Sequence, residues 1–143
     1  MTNNSEPSIQ TAVDAIRRRT RYTPHIGLVL GSGLSDLANA LQAADTIPYE
    51  EIPGWPASTV VGHSGKLVIG QLEGQTVLVQ QGRAHFYEGY TQAQVVFPVR
   101  VMHALGIQTL IVTNAAGGIN RAFNPGDLML IKDHLNFVGI AGS

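Results

Sequence analysis

Cysteine is absent from the 143 residues, which excludes disulfides and thiolate metal sites. Charge is scarce too: Asp, Glu, Lys and Arg together make up 13% of the chain, with a formal net charge of −1. So neutral a chain has no long-range field to draw it to nucleic acid or a membrane surface, and neither is an expected partner. Although 44% of the residues are hydrophobic, no apolar run approaches the length of a bilayer span. The opening Met1-Thr2-Asn3-Asn4-Ser5-Glu6-Pro7 is polar and has no apolar signal core. A cytoplasmic location is therefore expected, with residues 1–7 disordered. Repeats, low-complexity tracts and interdomain linkers are also missing, and the length suits a single domain over residues 1–143.

What the chain does have is alternation of helical and strand patterns, which predicts an α/β fold. Ile9, Val13 and Ile16, followed by Arg17, Arg18 and Arg19, read as a short amphipathic helix. Basic residues in a last turn complement the helix dipole, which accounts for the arginines without nucleic acid. Residues 26–30 read as a buried strand, and Leu34, Leu37, Ala38 and Leu41 as a helix after it. Pro48, Pro53 and Pro56 mark a stiff loop suited to neither regular structure, with Trp55 anchoring it. Lys66 to Gln80 reads as a hairpin turning near Glu73-Gly74. Thr91-x-x-Gln94 is a capping box that opens a helix through Val95, Val96, Val99 and Met102, ending near Gly106. Residues 109–113 form the next predicted strand, and Leu128 to Ile131 one more.

Three predicted strands end in polar or small residues, and in α/β folds ligands bind beyond the carboxyl ends of strands. The first end is Gly31-Ser32-Gly33-Leu34, a glycine turn that can aim backbone N–H groups at an anion. A dinucleotide fingerprint needs a third small residue where Asp36 stands, and a carboxylate there repels a pyrophosphate. That argues against a nicotinamide or flavin cofactor. The second end, Gly82-Arg83-Ala84-His85-Phe86-Tyr87-Glu88-Gly89-Tyr90, gathers a guanidinium, an imidazole, a carboxylate and two phenols between glycines. Arg83 offers a planar fork for phosphate or carboxylate, and His85 a second donor. Tyr87 and Glu88 suit sugar hydroxyls. A solvated loop with a surface ion pair is the plainer alternative. The third end, Asn114-Ala115-Ala116-Gly117-Gly118, has so little side chain that a flat ligand can approach the backbone closely.

Other motifs fail on their residues. Gly62-His63-Ser64-Gly65-Lys66 lacks the hydroxyl residue after lysine and the earlier glycine of a nucleotide-triphosphate loop; Leu67 and Val60 stand there. The five histidines have no metal-ligand spacing, so no metal site is expected.

Taken together, the chain resembles the trimeric, low-molecular-mass class of purine nucleoside phosphorylases. The resemblance rests on Leu30-Gly31-Ser32-Gly33-Leu34, on Pro53-Gly54-Trp55-Pro56 leading to Gly62-His63-Ser64-Gly65, and on Gly82 to Tyr90. It also rests on Asn114 to Asn120, on Pro125-Gly126-Asp127 and on Asp133-His134-Leu135-Asn136. A sister family acting on methylthioadenosine shares the Gly-Ser-Gly-Leu turn but differs in the other two clusters.

The resemblance implies a mixed twisted sheet flanked by helices and a homotrimer. It implies reversible phosphorolysis of purine nucleosides, with inorganic phosphate as co-substrate and no cofactor. By resemblance Ser32, His63, Arg83, Ala84, His85 and the Ala115 amide surround phosphate. Tyr87 reaches the ribose, Ala116 and Gly117 lie against base or sugar, and Glu88 orients His85 or shares a proton with phosphate. His85 and Glu88 are thus the expected catalytic pair. The resemblance covers roughly the N-terminal half of the family's subunit, so the fold is expected to be incomplete at its C-terminus. The residues that grip the purine in the family have no counterpart here. A non-catalytic phosphate- or nucleoside-binding fragment, or an interaction subunit that completes its sheet on a partner, are the alternatives.

Overall fold

The computed structural model describes residues 8–31, 33–57 and 65–137. The expected disorder of residues 1–7 lies outside them. Helix α1, Ile9–Arg19, begins where Ser8 Oγ accepts the Thr11 N–H at 3.1 Å. That bond satisfies one of the donors every helix start leaves unpaired. Ala12, Val13, Ala15 and Ile16 are buried, and Arg17, Arg18 and Arg19 fill the last turn, as the dipole favours.

Five strands follow: β1 Ile26–Leu30, β2 Gln42–Pro48, β3 Lys66–Leu72, β4 Gln75–Gln81 and β5 Thr109–Val112. Helix α2, Gln92–Leu105, lies between the last two. The sheet order is β2-β3-β4-β1-β5. β1 pairs in parallel with β4 and β5, while β2, β3 and β4 pair antiparallel, giving the mixed sheet expected. The β3–β4 hairpin turns at Glu73 and Gly74, both at positive φ (47° and 75°), the left-handed pair that matches strand twist in a two-residue turn. The capping box of α2 is in place: Thr91 Oγ1 accepts the Gln94 N–H at 3.3 Å, and Gln94 Oε1 accepts the Thr91 N–H at 2.9 Å. Gly106, at φ 104°, ends the helix.

Period-two alternation divides the core between the two faces of the sheet. Val29, Leu67, Ile69 and Leu78 pack with Ala12, Val13 and Ile16 of α1 and Val101 and Met102 of α2. Leu28, Leu30, Val68, Val77 and Val79 point the other way, with Ala38 and Leu41. Burying each such side chain contributes about 1.5–3 kcal/mol, so the helix-covered face is the main source of stability. Trp55 is buried against Tyr49, their rings 5.4 Å apart, and anchors its loop as expected.

Three expectations are corrected. The helix expected after β1 is a 3-10 segment, Ser35–Ala40. Leu34 and Leu37 are partly exposed, and β2 claims the chain from Gln42, so no α-helix has room to propagate. The stretch expected to be loop contains β2, because Pro48 sits at the last pair of an edge strand, where its missing N–H costs no ladder bond. Leu128 to Ile131 form no strand; all four are exposed and pair with nothing in the described sheet.

Candidate functional site

Because β1, β4 and β5 run parallel with Leu30 opposite Gln81 and Val29 opposite Val112, their exits leave one edge of the sheet together. Gly31, Gly82 and Thr113 are the first residues past those strands. Hydrogen bonds between the exits hold them in fixed relation. Arg83, half-buried, donates through Nη1 to the Thr113 carbonyl at 2.7 Å, bridging the β4 and β5 exits. The Gly31 N–H donates to Thr113 Oγ1 at 2.9 Å, bridging β1 and β5. Gln81 Nε2 donates to the Ser35 carbonyl at 2.9 Å, tying β4 to the segment after the glycine turn.

Glycine at 31 is a steric requirement. A Cβ there would stand 2.6 Å from the Thr113 carbonyl oxygen and 3.0 Å from Asn114 Cα, both backbone atoms that cannot swing aside. Gly82, at φ 89°, turns β4 into the Arg83 loop, and its carbonyl accepts the Tyr49 hydroxyl at 2.6 Å. Burial of Tyr49 pushes its phenol pKa far above the ordinary value, so the hydroxyl stays protonated and the bond stays made.

Past Arg83 the loop closes on itself. Glu88 Oε1 accepts both the His85 backbone N–H at 2.7 Å and His85 Nδ1–H at 2.9 Å. The Glu88 side chain is 3% exposed and that of His85 24%, so the carboxylate is sunk beneath a ring that reaches the surface. One carboxylate oxygen thus fixes both the main chain and the ring of His85. The Tyr87 ring stacks on the imidazole with centroids 4.8 Å apart and remains 76% exposed.

The sequence-predicted residues therefore divide. Arg83 follows β4 and its guanidinium reaches the β5 exit, and His85, Tyr87 and Glu88 form one cluster on the same loop. Ala84 is buried. Ala115, Ala116 and Gly117 follow Asn114 in an exposed loop. Ser32 and His63 lie outside the described residues. Sequence reasoning missed Tyr49, Gln81 and Thr113. Two glutamines ending an apolar strand, at Gln80 and Gln81, were the available signal for Gln81. Thr113, in a strand of β-branched residues, gave none.

The segments after β1, β4 and β5 carry a guanidinium, an imidazole and backbone N–H groups, donor types suited to an anion, with the Tyr87 ring stacked on the imidazole. Among the described residues, no three His, Asp or Glu gather to hold a metal ion. A cavity of about 630 Å³ lies elsewhere, between the end of α1 and β2, lined by Arg17 to Tyr22, Ala43 and Asp45. Its arginines are exposed, and Arg19 already pairs with Glu51 at 2.5 Å, so it is a solvated charged surface rather than the chemical site. No helix among the described residues is long and apolar enough to cross a membrane.

Comparison with known proteins identifies the family. The chain is 57% identical over 132 residues to purine nucleoside phosphorylase 1 of Geobacillus stearothermophilus, covering 92% of this chain and 48% of that protein. It is 49% identical over 133 residues to the mouse purine nucleoside phosphorylase, covering 93% and 46%. A crystal structure of purine nucleoside phosphorylase isoform 2 from Schistosoma mansoni, in complex with cytosine and ribose-1-phosphate, superposes with a TM-score of 0.86 at 43% identity. That superposition covers 99% of this chain and 49% of the other. The chain thus spans about half the length of these relatives. Residues 25–143, from the start of β1 onward, match the phosphorylase superfamily, and the chain belongs to that family.

Proposed function

We propose that the polypeptide carrying these residues is a purine nucleoside phosphorylase. A phosphate oxygen attacks the anomeric carbon of a purine nucleoside, the bond from that carbon to the purine nitrogen breaks, and its electron pair leaves with the base. The products are a purine and a pentose 1-phosphate. The observation that carries the reading is the bridging of the three parallel strand exits by Arg83 and Thr113, which sets a guanidinium beside two loops of small residues. The names of the relatives support it, as does the ribose 1-phosphate bound to the Schistosoma mansoni isoform 2 protein.

In this reading Ser32, His63, Arg83, His85 and the amides of Ala84 and Ala115 hold phosphate beneath the sugar. Tyr87 meets the ribose, and Ala116 and Gly117 admit the flat base or the sugar. Glu88 keeps the His85 ring aimed. The transition state has oxocarbenium character, and catalysis is mainly positioning and electrostatics. No metal or organic cofactor takes part. The enzyme is a cytoplasmic homotrimer serving purine salvage. Incubating the full polypeptide with inosine tests this: phosphate-dependent release of hypoxanthine is expected, and hydrolysis or inertness in the presence of phosphate would overturn it.

A further inference from the structure

We propose that Thr113 is a positioning residue of the anion site, holding the Gly31 turn and the Arg83 guanidinium in register; this rests on the phosphate reading above. Four hydrogen bonds meet at this residue. Thr113 Oγ1 accepts the Gly31 N–H at 2.9 Å and donates its own hydrogen to the Val29 carbonyl at 3.1 Å. The Thr113 N–H donates to the same Val29 carbonyl at 3.0 Å. The Thr113 carbonyl in turn accepts Arg83 Nη1 at 2.7 Å. A hydroxyl has one hydrogen and two lone pairs, and here the hydrogen goes to β1 while a lone pair receives the glycine turn.

Strand packing alone does not call for this hydroxyl. Thr113 follows Leu110, Ile111 and Val112, and valine has the same branched shape and suits a strand equally well. Valine cannot accept the Gly31 N–H. The contact is also tight: the Thr113 carbonyl leaves no room for a side chain at position 31, so turn and strand exit move together or not at all. An anion held by separate loops binds best when its donors are spaced before it arrives, and displacements of about 1 Å cost up to about 10²-fold. Thr113 acts through Gly31 and Arg83, fixing the first turn with its side chain and the guanidinium with its main chain.

The test compares Thr113→Val and Thr113→Ser with wild type in the full polypeptide, by inosine phosphorolysis and by amide hydrogen exchange at Gly31. Thr113→Val loses both hydroxyl bonds and should raise the apparent constant for phosphate about tenfold, the worth of the bond that holds the Gly31 turn, while leaving the inosine constant near wild type. Thr113→Ser, which keeps the hydroxyl, should restore the phosphate constant. The Gly31 amide should exchange faster in Thr113→Val than in wild type or Thr113→Ser. Equal rises in both constants, or a valine variant that matches wild type in phosphate constant and exchange, would overturn the proposal. Should wild type show no phosphorolysis, the functional reading fails on its own. Gly31 exchange then decides for Thr113: acceleration by valine alone supports it, and an unchanged rate overturns it.

Discussion

Arg83 and Thr113 stand thirty residues apart in sequence, yet the guanidinium of one donates to the carbonyl of the other at 2.7 Å. The bond joins the exits of two strands that are not neighbours in the sheet, since β1 lies between β4 and β5. A long side chain rooted just past β4 thus crosses the end of β1 to reach the exit of β5. The Gly31 turn at the end of β1 is tied to the same threonine. The geometry makes the three exits one unit rather than three loops.

Gly31→Ala should break that unit. Its methyl would lie 2.6 Å from the Thr113 carbonyl oxygen, the acceptor of Arg83. Overpacking of this kind costs about 1–3 kcal/mol, and denaturant melts should show a loss in that range. Phosphate affinity should fall with it. Wild-type stability in the alanine variant would mean that the turn and β5 are less tightly apposed than described.

Tyr49 gives the chain an alkaline limit. Burial raises its phenol pKa in the folded state, while in the unfolded chain it ionises near the ordinary value of about 10. The unfolded state therefore gives up a proton first as pH rises. Stability from this group is fully present below about pH 10 and falls above it, by at most ~1.4 kcal/mol per pH unit. Tyr49→Phe should remove that part of the slope between about pH 10 and 11 in denaturant melts, while losing the bond to Gly82 at neutral pH. Identical slopes in the two proteins would place the ionisation elsewhere.

Much of this arrangement was legible in the sequence because local chemistry carried it. Glu73-Gly74 required a left-handed turn, Thr91 and Gln94 capped a helix, and strands ending in glycine and alanine marked the edge where the three exits meet. What was not legible depended on partners distant in sequence. β2 is a strand because β3 pairs with it, despite Pro48 and a bulge between Gln42 and Asp45. Leu128 to Ile131 have strand composition and no ladder to join. Thr113 looks like one more β-branched residue until Gly31, Val29 and Arg83 are seen around it.

The edge of the sheet has its own consequence. Leu110, Ile111 and Val112 are 37%, 47% and 58% exposed on β5, which pairs only with β1 in the described sheet. An apolar strand with an open ladder invites pairing with other chains. A polypeptide limited to residues 1–143 should therefore self-associate in sedimentation velocity. A discrete monomer at micromolar concentration would contradict this.

The most direct test of the account is the phosphate dependence of Arg83→Ala in the full polypeptide. Charged hydrogen bonds from a guanidinium contribute about 1.5–3 kcal/mol each. Losing them should raise the apparent constant for phosphate by at least about tenfold and leave the constant for inosine near wild type. Phosphate titrations of Arg83→Ala and wild type that superimpose would show that the joined strand exits are not the anion site.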